Sequence, residues 1–200
     1  MFSILAMVPA ALMPLAATSQ IIKPPKATTE GGEAVYKYQA YAGYAYTSLN
    51  QVNGSRYGLQ GASLSVTRNF GKYFGLTAEG DAYEVPLGSP VVQTQGNTVT
   101  PSEEAVFFGP EIHAEIYGRY SGFVHGLLGG EHIGGYGQSP NISFAGGAGG
   151  GMEYTVTPRF AVRASGDDIL SSFTVINPYP GDSPHRTRSS RASIGIVYRF

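Results

Sequence analysis

The sequence predicts an all-β fold, an eight-stranded antiparallel up-and-down transmembrane β-barrel, and three observations carry that prediction. Apolar and polar residues alternate with a period of two over eight successive segments. The links between those segments alternate between short and long. Aromatic residues gather toward both ends of the segments. Composition agrees: 28 Gly, 14 Tyr and 10 Phe accompany no Trp and no Cys. Charged residues make up 14% of the 200 residues, against about 25% in an ordinary soluble domain. Mean hydropathy is nonetheless near zero, which excludes a bundle of apolar membrane helices. A net charge of −1 argues against nucleic acid as a partner. Without Cys, disulfides, thiol catalysis and Cys-ligated zinc are excluded.

The first 19 residues, Met1 to Ser19, are uncharged and apolar and end in small residues. They resemble a secretory signal peptide, with cleavage expected after Ala17 or Ser19. No Lys or Arg precedes Lys23, so the usual basic start is missing. Pro9 and Pro14 interrupt the run, and a membrane anchor needs about 20 apolar residues. Residues 20–35 are rich in Pro, Thr, Gly and charge and read as a flexible lead-in. The barrel is expected over residues 36–200.

Eight strands are predicted: Tyr36–Ser48, Tyr57–Arg68, Tyr73–Glu84, Ala105–Ile116, Ser121–Ile133, Ser143–Thr155, Phe160–Ser171 and Ser189–Phe200. Each suits a tilted membrane strand, which needs about 9–11 residues. Asn69-Phe70-Gly71-Lys72, Tyr117-Gly118-Arg119-Tyr120 and Val156-Thr157-Pro158-Arg159 read as tight turns. Leu49–Arg56, Val85–Glu104, Gly134–Ile142 and Ser172–Ser190 read as longer loops. Three short turns at one mouth and four loops at the other are the outer-membrane arrangement, with turns and both termini in the periplasm. A soluble up-and-down barrel shares this connectivity, so the faces must decide.

Even-numbered positions carry the apolar set in most strands. Tyr36, Tyr38, Ala40 and Ala42 oppose Lys37 and Gln39 in the first; Phe74, Leu76 and Ala78 oppose Glu79 and Asp81 in the third. Val106, Phe108 and Ile112 oppose Glu111, His113 and Glu115; Phe144, Ala148 and Met152 oppose Glu153. Phe160 and Val162 oppose Arg163 and Asp167, and Ile194 and Ile196 oppose Ser193 and Arg199. The second strand sets Ala62, Leu64 and Val66 against Ser63, Ser65 and Thr67, and the fifth is mixed, because Leu127 shares a face with His125. A soluble barrel would show more charge on its polar face. In a membrane barrel the charges turn inward, because Arg or Lys at the lipid midplane costs about 2–4 kcal/mol. Glu79, Asp81, Glu111, His113, Glu115, Glu153 and Asp167 are therefore expected in a luminal network with Lys37 and Arg163 as cations.

Aromatic residues near the turns include Phe70, Tyr73, Phe74, Tyr117, Tyr120, Phe123, Tyr154 and Phe160. A second set near the loops includes Tyr44, Tyr46, Tyr57, Tyr83, Phe107, Phe108, Phe144 and Phe173. Two such girdles are a membrane-barrel feature. The chain closes on Ile196-Val197-Tyr198-Arg199-Phe200. A terminal Phe after alternating apolar residues resembles the assembly signal of bacterial outer-membrane barrels. Together with Arg68-Asn69-Phe70 and Thr157 to Arg163, it makes residues 36–200 similar to the eight-stranded family typified by the transmembrane domain of outer-membrane protein A and the opacity-type small porins. The resemblance implies residence in the bacterial outer membrane among lipid and lipopolysaccharide, and recognition of Phe200, Tyr198 and Ile196 by the barrel-assembly machinery. No cofactor is implied, and a monomer is expected.

Reactive motifs are weak. Gly146-Gly147-Ala148-Gly149-Gly150-Gly151 lacks the Lys-Ser/Thr of a phosphate loop. His125 with Ser121 and Glu131 is the nearest catalytic grouping, but period two spreads the three along one strand face. No His-x-His or Cys cluster suggests a metal. His185, Arg186, Arg188 and Arg191 form a basic cluster suited to lipopolysaccharide phosphates. The sequence therefore favours a structural or surface-interaction barrel acting through loops Pro86–Pro101 and Asn177–Pro184. A small, mostly closed cation-preferring channel and a lipid A-modifying enzyme are the alternatives.

Overall fold

A computed structural model describes residues 28–30, 33–50, 56–85, 92–94, 97–99, 102–134, 141–173 and 185–200. Eight strands form a closed barrel: β1 Tyr38–Asn50, β2 Arg56–Asn69, β3 Phe74–Glu84, β4 Ser102–Tyr117, β5 Tyr120–Gly134, β6 Asn141–Thr157, β7 Phe160–Phe173 and β8 His185–Arg199. Each pairs antiparallel with its neighbours in sequence, and β8 closes on β1. All eight predicted strands are present. Most run one to four residues past the predicted bounds, because ladder pairing continues beyond the apolar stretch. Two short ribbons lie outside the barrel. Val92–Thr94 pairs with Asn97–Val99 inside the longest link, and Thr28–Glu30 pairs with Glu33–Val35, so the predicted unstructured lead-in contains a strand pair. The signal-like segment lies outside the described residues.

Closure fixes the geometry. Following ladder partners from Tyr198 through Ala40, Val66, Ala78, Phe108, Leu128, Gly146 and Leu170 returns to β8 at Arg188, ten residues nearer the loop end. One circuit therefore climbs ten residues, so the strands tilt strongly and the interior is narrow. Neighbouring backbones press together at several inward glycines. A Cβ on Gly61 would stand 1.8 Å from the Ala82 carbonyl oxygen, and one on Gly151 would stand 2.0 Å from that of Ala164. The glycine run of β6 is thus strand packing, not a phosphate loop. At the tight turn after β4, Gly118 adopts a φ of 56°, a left-handed conformation that glycine takes without a Cβ clash.

Among the described side chains, odd-numbered residues of every barrel strand point inward and even-numbered ones outward. The outer surface is a belt of Leu64, Val66, Leu76, Val106, Val124, Leu128, Ile194 and Ile196, all largely exposed. An apolar belt of this kind is the reverse of a soluble barrel. Below it, Tyr120 packs on Tyr154 and Phe160 on Tyr198, both with ring centroids 5.1 Å apart. Three aromatics expected in the girdles point inward instead. Tyr83, Phe107 and Phe123 are buried in the lumen.

Leu64, 60% exposed, lies on this outer belt. Replacing it with Arg is expected to lower folding free energy by about 2–4 kcal/mol, while Leu64→Phe leaves it unchanged. Urea titration of the refolded barrel in lipid vesicles, read as the folded band on an unboiled gel, checks this. Equal loss in both variants would reject a lipid-facing belt.

Candidate functional site

Because the wall is narrow and its inward positions carry acids and guanidinium groups, the lumen is the place where the chain concentrates its chemistry. At the turn-side half, Arg163 from β7 is buried against the rings of Phe123 at 4.3 Å and Tyr41 at 5.7 Å. Its Nε donates to Glu153 Oε1 at 2.7 Å, and its terminal nitrogens reach Glu111 at 3.5 Å. Arg199 donates to the other Glu153 oxygen at 2.6 Å and to Thr155 Oγ1 at 3.1 Å. Glu111, fully buried, also has His113 Nε2 at 3.0 Å and His125 Nδ1 at 3.6 Å.

At the loop-side half, a second cluster forms around Arg191 of β8. It donates to Glu79 at 2.7 Å, to Asp167 at 3.3 Å and to Asp81, and lies 5.0 Å from the centroid of Phe107. His125 joins the clusters, with Nε2 2.6 Å from Asp167 Oδ1. The space between them, lined by Tyr41, Glu79, Asp81, His125 and Arg191 among others, is about 10 Å³. A single water needs about that much, so side chains fill the middle of the barrel. Toward the turns the lumen opens into a cavity of about 480 Å³ lined by Gln39, Lys72, His113, Glu115, Arg119 and Arg199.

Several sequence expectations change here. Lys37 lies outside the network: it is exposed before β1, with its ammonium 5.8 Å from the centroid of the Tyr38 ring. Glu115 stands half-exposed at the turn mouth, 3.1 Å from Lys72. Arg191, expected to face lipopolysaccharide, points into the lumen. Of that basic cluster, Arg188 faces outward and its Nε donates to Asp168 at 2.7 Å; the side chains of His185 and Arg186 lie outside the described residues. Ser121 lines the turn-side cavity while Glu131 accepts from Ser171 at the other end, so neither is gathered with His125. Two of the three cations that hold the lumen, Arg191 and Arg199, were not in the predicted network, which held Arg163. The inward alternation that marks Arg163 marks both of them as well.

Arg163→Met would leave Glu111 and Glu153 buried beside a neutral side chain. Removing one partner of a buried pair costs about 3–5 kcal/mol, and adding Glu111→Gln and Glu153→Gln should recover only part of the loss, because Arg199 and His113 then lose their carboxylates. Urea midpoints of the three refolded proteins test this. An unchanged single variant would mean that the guanidinium carries no such role.

No protein-family model and no curated protein sequence matches the chain. Solved structures do match in shape. Neisserial surface protein A superposes with a TM-score of 0.65 at 13% identity, covering 82% of this chain and 97% of that one. Ail, the attachment invasion locus protein of Yersinia pestis, gives 0.50 at 16% identity over 83% and 100%. The outer membrane protein OprG of Pseudomonas aeruginosa gives 0.50 at 10% over 84% and 97%. At these identities the likeness concerns the fold, and it agrees with the closed antiparallel ladder and the outward apolar belt. The chain has the fold of the small eight-stranded outer-membrane β-barrels.

Proposed function

We propose that the protein resides in the bacterial outer membrane and works as a structural or surface-interaction barrel through the loops at its loop end, without catalysis and without a standing pore. One observation carries this reading: the lumen is filled at mid-height by the joined Arg163 and Arg191 clusters, with about 10 Å³ left between them. Ion conduction needs a continuous polar path, and here guanidinium groups and carboxylates occupy it. The outward belt supports a lipid environment, and the outer-membrane fold supports its location. With wall and lumen both committed to packing, the loops are the surface left for recognition. His125 supports no hydrolase reading. Its nitrogens face Asp167 and Glu111, and no hydroxyl is hydrogen-bonded to it among the described residues.

The purified barrel in planar bilayers should show no large, stable current. Cells expressing variants with Pro86–Pro101 or Asn177–Pro184 shortened should keep the heat-modifiable band in the outer-membrane fraction but lose adhesion to surfaces. Large steady currents would move the assignment to a channel. A changed lipid A mass profile would move it to an enzyme.

We further assign Phe200, Tyr198 and Ile196 to recognition by the barrel-assembly machinery. Phe200 pairs by backbone with Tyr38, its ring stacks 5.7 Å from those of Tyr38 and Tyr198, and Ile196 is exposed on the outer face of the same strand. The last residue therefore closes the seam between β8 and β1 and presents an aromatic edge. Deleting Phe200 should lower folded yield in cells with synthesis unchanged, while refolding of the purified chain in detergent is less affected. Equal yield in cells would reject the assignment.

A further inference from the structure

Among the described side chains, two guanidinium groups stand on the outward face of the strands, Arg68 on β2 and Arg188 on β8. Arg188, toward the loops, has its own acid: its Nε donates to Asp168 at 2.7 Å. Arg68, toward the turns, has no acidic partner among the described residues, and its guanidinium lies 4.9 Å from the centroid of the Phe70 ring. The acids of the turn-side half are engaged elsewhere. Glu111 and Glu153 face the lumen with Arg163 and Arg199, and Glu115 meets Lys72. The excess of acid lies in the other half, where Glu79, Asp81, Glu103, Glu131 and Asp167 point inward.

The ladder places Arg68 at the lower edge of the apolar belt. Leu64, Val66, Arg68 and Phe70 follow one another down the outward face of β2. Tyr38 of β1 and Leu76 of β3 are the residues directly opposite Arg68 on either side. A second cation is held next to it. Asn69 donates from its backbone to the Lys37 carbonyl at 2.8 Å and from its side chain to the Tyr36 carbonyl at 2.9 Å, which fastens the entry of β1 to the end of β2. Lys37 is exposed there, with its ammonium 5.8 Å from the centroid of the Tyr38 ring and no acidic partner among the described residues. The Phe200 carbonyl oxygen at this seam accepts from the Tyr38 N–H at 3.0 Å and is thus spent on the ladder. Two neighbouring cations therefore stand where the aliphatic belt gives way to aromatic rings. Charge is tolerated at that depth of a bilayer but not at the midplane, and the anionic group found at that depth is a lipid phosphate.

We propose that Arg68 and Lys37 form a binding site for the phosphate of one anionic phospholipid in the leaflet at the turn mouth. The guanidinium presents two parallel N–H groups that match two phosphate oxygens, and the ammonium adds a point charge beside them. The Phe70 ring backs the guanidinium and the Tyr38 ring stands beside the ammonium, so both cations have an aromatic neighbour. Val66 and Leu76, both about half exposed, offer the glycerol and upper acyl chain an apolar wall next to the phosphate. The contrast with Arg188 sets the direction of the argument: the outward guanidinium toward the loops is answered by a side chain, and the one toward the turns is left for the lipid. The inference rests on the reading of the outer face as lipid-facing, and it does not depend on what the loops bind.

The test uses the full barrel refolded in a neutral detergent and titrated with phosphatidylglycerol or phosphatidylcholine, with bound lipid counted by native mass spectrometry. Wild type should retain one phosphatidylglycerol saturably, at least about fivefold more tightly than phosphatidylcholine, since each basic residue near an anionic lipid is worth about that factor. Arg68→Gln with Lys37→Gln should fold, as read by the heat-shifted band, and lose the preference. Arg68→Lys keeps the charge but not the fork and should retain part of it. Arg188→Gln should behave as wild type. Equal binding of the two lipids by wild type would overturn the site. An equal loss in Arg119→Gln with Arg159→Gln, two exposed turn cations, would overturn it in favour of a diffuse positive rim. Tighter binding of lipopolysaccharide than of phosphatidylglycerol through Arg68 and Lys37 would overturn the choice of leaflet. Partition of the folded barrel into vesicles tests the lipid-facing belt separately, so a barrel that inserts without preferring phosphatidylglycerol fails here alone.

Discussion

Everything in this molecule follows from the closed hydrogen-bond ladder. A surface that faces hydrocarbon offers no water to backbone N–H and C=O groups, so each must be paired within the wall. An open sheet leaves two edges unpaired, whereas closure of β8 on β1 leaves none. With eight strands, closing the ring with a ten-residue climb leaves an interior only as wide as side chains can fill. The alternation of faces is then forced: one residue in two must be compatible with lipid, and the other must share a confined space with seven neighbouring strands.

Confinement explains why the lumen is built from compensated charge on aromatic supports. Arg163 rests on Phe123 and Tyr41, and Arg191 on Phe107. Each guanidinium therefore has a ring behind it and carboxylates ahead of it. The planar fork suits such sites, because one guanidinium can serve several acceptors at once. His125, between Asp167 and Glu111, makes the two clusters one continuous network. A buried ion pair adds little net stability over a well-packed apolar pair. The return for using charge here is a unique registration, since a one-residue slip of any strand would turn its charges into lipid.

The strands and their facing were legible in the sequence because both depend on local alternation. Turn positions were legible because short polar or glycine-containing breaks recur between apolar runs. The inward placement of Tyr83, Phe107 and Phe123 was legible in principle as well. All three are odd-numbered, like the acids beside them, and were grouped with the girdles by nearness to strand ends rather than by face. What the sequence withholds is partnership. Arg191 meets Asp81 across 110 residues of chain, and only the climb of the closed ladder determines which inward residues share a height. Glu103 was hidden for a different reason. It lies before the predicted start of its strand at Ala105, in a stretch where alternation is not yet established.

The two halves of the lumen have different surroundings and correspondingly different charge balance. Toward the turns, three guanidinium or imidazole groups answer two buried acids, and the cavity opens to solvent, where residual charge is hydrated. Toward the loops, among the described residues, the inward acids Glu79, Asp81, Glu103, Glu131 and Asp167 outnumber the one guanidinium, of Arg191, and the one imidazole, of His125. An unscreened excess of carboxylate in so confined a volume repels itself strongly. It persists only if protons or a cation neutralise it. The end of the barrel that carries the long loops is thus the end whose interior holds the excess of acid.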